Sequence, residues 1–186
     1  MALASYALVD WPTVQNRFNL DASRQEATEH LIEVASMRAK NYVGRILAAE
    51  DVTRDLDGNG QRIIDVGEYP INSVASVYVD GNRNFGSETE VTEYVIYKER
   101  FLYRAAAWPT GIANIRVSAN VGYSQTKSDL EESIIQLVGY WIDSPAISWI
   151  GGEEGTEGGY QSQYTGAMDL PFQVVKIWSN YMRDPI

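Results

Sequence analysis

Apolar residues near the start of the chain recur at three- and four-residue steps, and in the middle the repeat shortens to two. Asp10 precedes Trp11-Pro12, a helix signal with proline near the first turn, and Val14 and Phe18 then share one face of a short helix. Asn19-Leu20-Asp21 breaks it. Ser23-Arg24-Gln25-Glu26 fits a capping box for a second, longer helix over about 21–47. Ala27, Leu31, Val34, Ala35, Arg38, Tyr42 and Ile46 form its expected stripe.

Residues 62–66, 74–79, 93–97, 101–104 and 112–121 are short runs rich in Val, Ile and Tyr with turn residues between them, and read as strands. In the last, Ile115, Val117, Ala119 and Val121 alternate with Asn114, Arg116, Ser118 and Asn120, the pattern of a half-buried antiparallel strand. Lys98-Glu99-Arg100 is expected to turn a hairpin, and Trp108-Pro109-Thr110-Gly111 has the composition of a turn. Helix returns at Ser128-Asp129-Leu130-Glu131, a second capping box, with Leu130, Ile134, Leu137, Val138 and Trp141 on one face and Pro145 beyond its end. A final helix is expected over 170–182, anchored by Val174, Val175, Trp178, Tyr181 and Met182.

These elements imply an α+β fold: a helical bundle with a small antiparallel β-subdomain inserted between its helices. The expected parts are an N-terminal helical part (1–61), a β-rich subdomain (62–127) and C-terminal helices with a glycine-rich acidic loop (128–186), one domain overall. A length of 186 residues suits one such domain without disulfides or metals to hold its core.

Composition narrows the chemistry. With no cysteine and one histidine, thiol nucleophiles and thiolate metal sites are excluded, and any catalytic triad would have to use His30. A net charge of −10 argues against general nucleic-acid binding, which needs a basic face. The first ten residues lack the basic start and apolar run of a signal peptide, and no segment reaches the roughly 20 apolar residues of a membrane span. A soluble protein made inside a cell is the expectation.

Asp55-Leu56-Asp57-Gly58-Asn59-Gly60 resembles the first half of a calcium loop, with Asp55, Asp57 and Asn59 as candidate ligands. Val66 stands where the bidentate glutamate belongs, so a tight turn between strands is the preferred reading and no cofactor is expected. Glu131/Glu132 and Glu153/Glu154 read as solvated charge, because adjacent helical residues point apart and a glycine-rich loop tunes no carboxylate. Between Lys127 and Lys176 lie eight acidic residues and no basic one, including Glu153, Glu154 and Glu157. Five Trp and twelve Tyr supply aromatic anchors of the kind enriched at interfaces, or fill the chain's own core; Trp178 fits both.

Taken in order, several segments resemble the head–tail adaptor (head-completion, or connector) proteins of tailed bacteriophages and related gene-transfer particles. They are the short N-terminal helix, Ile32-Glu33-Val34-Ala35-Ser36, Tyr42-Val43-Gly44-Arg45-Ile46-Leu47 and the Asp-Gly-Asn-Gly turn. Tyr69-Pro70-Ile71-Asn72-Ser73-Val74-Ala75-Ser76-Val77, Trp108-Pro109-Thr110-Gly111 and Asn114-Ile115-Arg116-Val117 follow. Val121-Gly122-Tyr123, the capped Ser128 helix and a Tyr181-Met182-Arg183 ending complete the series, which covers most of the chain. The acidic glycine loop departs from the family.

The resemblance implies a structural, non-enzymatic virion protein, made in the host cytoplasm and placed in the neck. It would form a dodecameric ring beneath the portal protein, extend the DNA channel and offer a platform to a stopper or tail-completion protein. DNA would pass without sequence-specific binding, repelled by an acidic wall. Trp178, Tyr181, Met182 and Arg183 are the expected portal contacts, and Glu153, Glu154 and Glu157 the expected channel- or partner-facing loop. Other classes compatible with the residues are a stopper or tail-terminator ring, a carbohydrate-binding module and a small soluble enzyme.

Overall fold

The computed structural model describes residues 3–143 and 170–182. Among those residues are four α-helices and two three-stranded antiparallel sheets, so the α+β class holds. The chain divides into two compact units, one of Met1–Val43 with Lys127–Ile186 and one of Gly44–Thr126.

All four described helices belong to the first unit. α1 (Trp11–Phe18) starts as its sequence requires: Asp10 accepts a hydrogen bond from Thr13 N at 2.9 Å, and Pro12 occupies the first turn. Asn19, in the left-handed region at φ 49°, closes it. α2 (Gln25–Val43) is shorter than the periodicity suggests, because a single 3₁₀ turn precedes it and Gly44, at φ +74°, ends it. Its buried stripe is rotated from the expected one. Thr28, Ile32, Ala35, Ser36, Ala39 and Val43 face inward, whereas Leu31, Val34, Arg38 and Tyr42 are only half-buried and Ala27 is exposed. Small residues on the inner side let α2 lie close to its neighbours, and Ser36 Oγ accepts from Leu8 N at 3.1 Å.

α3 (Ser128–Asp143) buries Leu130, Ile134, Leu137, Val138 and Trp141, as expected. α4 (Phe172–Ser179) packs on α2 and α3 through Val174 and Trp178. Gly139 is a packing requirement: a Cβ there would come within 2.4 Å of the Phe18 ring.

The second unit carries both sheets. In the first, β6 (Gly111–Val121) lies between β1 (Glu50–Gly58) and β3 (Ile71–Val79), with Glu50 opposite Val121 and Val79 opposite Ile115. Ile115, Val117, Ala119 and Val121 are buried and join Ile46, Val77 and Trp108 in the unit's core. In the second sheet β5 (Phe101–Tyr103) lies between β2 (Ile63–Asp65) and β4 (Val95–Tyr97). β4 and β5 form the expected hairpin around Lys98-Glu99-Arg100, with Tyr97 opposite Phe101.

Candidate interaction surfaces

The second sheet departs from the usual division into a core face and a polar face. Residues opposite one another on paired strands share a face. Ile64 and Leu102 are paired, buried, and directed into the core. On the other face Ile63, Tyr103 and Val95 form one row, and Asp65, Phe101 and Tyr97 the next. Five of those six positions are aliphatic or aromatic, and Ile63 is 37%, Val95 58% and Tyr97 43% exposed. Cations border this face. Arg100 binds Asp65 at 2.8 Å and lies 5.4 Å from the centre of the Phe101 ring, while Lys98 Nζ is 5.3 Å from that of Tyr97. The turn that carries Lys98 has left-handed φ at both Lys98 (51°) and Glu99 (55°) without a glycine, and Ile71 N holds it by donating to Glu99 O at 2.6 Å.

A groove of about 290 Å³ opens in the helical unit between α1 and α3. Phe18, Ile135, Gln136, Gly139 and Tyr140 line it together with the exposed Arg17–Glu132 ion pair, 3.0 Å long.

The C-terminal helix mixes buried and exposed residues. Trp178 is fully buried; its indole N–H donates to Ser133 Oγ at 2.9 Å, and its ring lies 5.8 Å from that of Tyr42. Trp178 therefore fastens α4 to its own unit. Tyr181 is half-buried and its hydroxyl donates to Asp129 Oδ1, while Met182 is 48% exposed. Arg183, Glu153, Glu154 and Glu157 lie outside the described residues, as does Pro145. His30 is exposed on α2.

The Asp55–Gly60 segment is a strand end and a turn. Asp55 is opposite Arg116 on β6 and accepts from its Nε at 2.7 Å and from its Nη2 at 2.8 Å. That bond holds the Asp55 carboxyl below the ordinary carboxylate range and raises the Arg116 guanidinium. Asp57 accepts from Ala113 N, and Asn59 from Gln61 N at 2.9 Å. Gly58 is required because a Cβ would fall 1.7 Å from Pro109 O. Among the described residues no three His, Cys, Asp or Glu side chains gather as a metal site would need.

Three segments far apart in sequence meet in the second unit, and their joint role was not legible from their spacing. Arg45 is buried, donates to Tyr69 O at 2.7 Å and Tyr123 Oη at 3.0 Å, and stacks on both rings. Glu68 accepts from Ile46 N at 3.0 Å and binds Arg54 at 2.9 Å. Gly122 N donates to Pro70 O, and Tyr123 N to Leu47 O. Arg45–Leu47, Glu68–Pro70 and Gly122-Tyr123 are thus parts of one polar cluster that seats the start of the unit.

A family model described as "Head completion protein" matches residues 8–183, nearly the whole chain. The chain belongs to the head completion protein family. Membership makes it a structural component of a phage-type virion. No curated protein matches this head completion protein. Among solved structures it is similar to a chain in the neck of a native gene transfer agent particle computed with C12 symmetry, at TM-score 0.63 and 16% identity, covering 100% of this chain and 94% of that one. A chain from the virion of a native gene transfer agent gives TM-score 0.66 at 14% identity, again over 100% and 94%. A third, from the neck of an empty particle computed with C6 symmetry, gives 0.63 at 14% with the same coverage. At such identities the likeness carries the fold, and it extends over both units.

Proposed function

We propose that this head completion protein is the adaptor of a head–tail neck. Twelve copies form a ring beneath the portal protein, lengthen the DNA channel and give the stopper or tail-completion protein its platform, with no catalytic step. The helical unit acts as a bundle that carries the β-rich unit as an insertion. The observation that carries this reading is the apolar outer face of the β2-β5-β4 sheet, surface that the chain's own core does not use and that a subunit among neighbours can bury. The neck particles with C12 and C6 symmetry support the ring.

Within this reading Tyr181, Met182 and Arg183 contact the portal, with Trp178 holding α4 in place behind them. Glu153, Glu154 and Glu157 face the channel or the partner below, where like charge keeps DNA phosphates at a distance. The test is an image of the particle neck with this chain labelled. A ring directly under the portal supports the proposal, whereas label at the tail end or lower in the neck assigns the chain to a terminator or stopper. For the portal contact the variant is Met182→Asp, since removing 170–186 would also strip Val174 and Trp178 from the helical core. Capture by the portal should fall while the melting temperature stays unchanged; undiminished capture removes the assignment.

A further inference from the structure

Two arginines of the second unit stand directly opposite one another. Arg104 N donates to Arg62 O at 3.0 Å, which continues the β2–β5 register one step beyond the Ile63–Tyr103 pair. By the alternation of the strands, both side chains leave the sheet on the side that carries Ile64 and Leu102, at its end. Like charges in directly opposed positions destabilise a sheet.

The unit supplies no acid to offset them. Its other bonded arginines have partners: Arg45 holds Tyr69 O, Arg54 holds Glu68, Arg100 holds Asp65 and Arg116 holds Asp55. Those carboxylates are thereby committed, and among the described residues none pairs with Arg62 or Arg104. Arg104 Nε is buried without a hydrogen-bond partner. A buried, charged donor left unmade is among the costlier features a fold can keep. The side chain is nevertheless held in place. Its guanidinium lies 5.1 Å from the centre of the Trp108 ring. Trp108 is fully buried; its backbone N–H donates to Gln61 O at 2.7 Å and its indole N–H to Leu102 O at 3.4 Å. The ring is thus a fixed platform that orients one guanidinium, while Arg62 beside it is exposed.

We infer that Arg62 and Arg104 together receive a carboxylate, the side chain of a Glu or Asp on a neighbouring virion protein chain. A carboxylate accepts two parallel N–H bonds from one guanidinium, which gives Arg104 Nε its partner, and its charge offsets both arginines. The surroundings favour protein over nucleic acid. Ala105, Ala106 and Ala107 are exposed, as are Ile63 and Val95 of the adjoining row, so whatever reaches the arginines also meets apolar surface. A duplex offers continuous hydrated phosphate there and is repelled by a chain of net charge −10. This goes beyond the adaptor reading and does not rest on it, since a stopper or terminator in the same particle also meets neighbours.

In the isolated full chain, Arg62→Glu places a carboxylate opposite Arg104 and should raise the urea midpoint by about 0.3 M, with Arg62→Gln between it and the wild type. A midpoint for Arg62→Glu at or below that of the wild type would overturn the proposal, because Arg104 would then not be placed to bind an acid beside it. In particles carrying Arg62→Lys or Arg104→Lys, a carbodiimide joins the introduced amine to a carboxylate in contact with it. Mass spectrometry should find an amide to a Glu or Asp of another chain, in a band that migrates as two chains. Intact necks without such an amide, or with one inside a single chain only, would also overturn it. Inorganic phosphate and a twelve-base-pair duplex, added separately, should raise the wild-type urea midpoint no more than that of Arg62→Gln. A larger rise in the wild type would assign the pair to phosphate and remove the carboxylate.

Discussion

Replacing Trp178 by alanine separates two roles an aromatic residue near a C-terminus can have. Its side chain is fully buried against Tyr42 and Ser133, so truncation leaves a cavity the size of an indole in the helical unit. Tryptophan-to-alanine changes at such sites cost about 3–5 kcal/mol, of which the buried hydrogen bond to Ser133 supplies about 1 kcal/mol. Ser133 Oγ keeps its own bond to Leu130 O at 2.6 Å, so no unpaired donor adds to the loss. The cost has a ceiling. α4 is fixed mainly through Val174 and Trp178, and once the penalty exceeds what holds the helix down, α4 detaches locally instead of unfolding its unit. Urea unfolding followed by circular dichroism, with hydrogen exchange of individual amides, distinguishes these outcomes. We expect the midpoint to fall and the α4 amides to lose protection before those of α3. Trp178→Phe, which keeps a ring in place, should cost far less. If Trp178→Ala left the midpoint and the α4 amides unchanged while abolishing portal capture, the residue would be a surface anchor and the packing argument would be refuted.

Two further outcomes follow from local geometry. Gly122 has φ +97° and a Cβ there would lie 2.4 Å from Ala48 O, so Gly122→Ala should destabilise the β-rich unit by about 2 kcal/mol or more in urea; a change below about 0.5 kcal/mol would contradict the arrangement of the polar cluster. The Asp80 carboxylate is held below its ordinary 3.8 chiefly by the Asn82 amide, with the Asn84 and Phe85 amides assisting, so its folded-state value lies below its unfolded one. Its contribution is therefore present above about pH 4 and is lost as pH falls through the folded value; a carbon NMR titration of Asp80 with a midpoint at or above 3.8 would contradict it.

Much of the fold could be read from the sequence because the local signals agree with the packing. Asp10 and Pro12 start α1, the 128–143 helix buries the five residues its spacing selects, and β6 alternates as a strand with one wet face should. β1 could not be read. Only Val52 and Leu56 are apolar in Glu50–Gly58, and its place is set by pairing with β6, through Asp55 with Arg116, Thr53 with Ser118 and Asp51 with Asn120. Those contacts depend on residues some 60 positions away, which no local window contains. The α2 stripe was misjudged in part: Ala35 is buried as expected, but Ile32, Ser36, Ala39 and Val43 face inward in place of Leu31, Val34, Arg38 and Tyr42. Gly44 was a legible stop signal, and the periodic run to Ile46 obscured it.

The candidate surfaces were harder to read for a reason that bears on function. A binary pattern identifies the core face only when the other face is polar. In the β2-β5-β4 sheet Ile64 and Leu102 face the core while Ile63, Val95, Tyr97, Phe101 and Tyr103 lie on the outside, so the sequence shows continuous apolar runs rather than alternation. α4 presents the same ambiguity in another form, with Val174 and Trp178 inward and Phe172 outward. A monomer gains nothing from apolar residues on both sides of a sheet or a helix, and it risks edge-to-edge association. In the proposed ring, a subunit set between copies of itself and other virion proteins buries both sides. The positions where pattern reading loses direction are therefore the positions at which this head completion protein is expected to meet its neighbours.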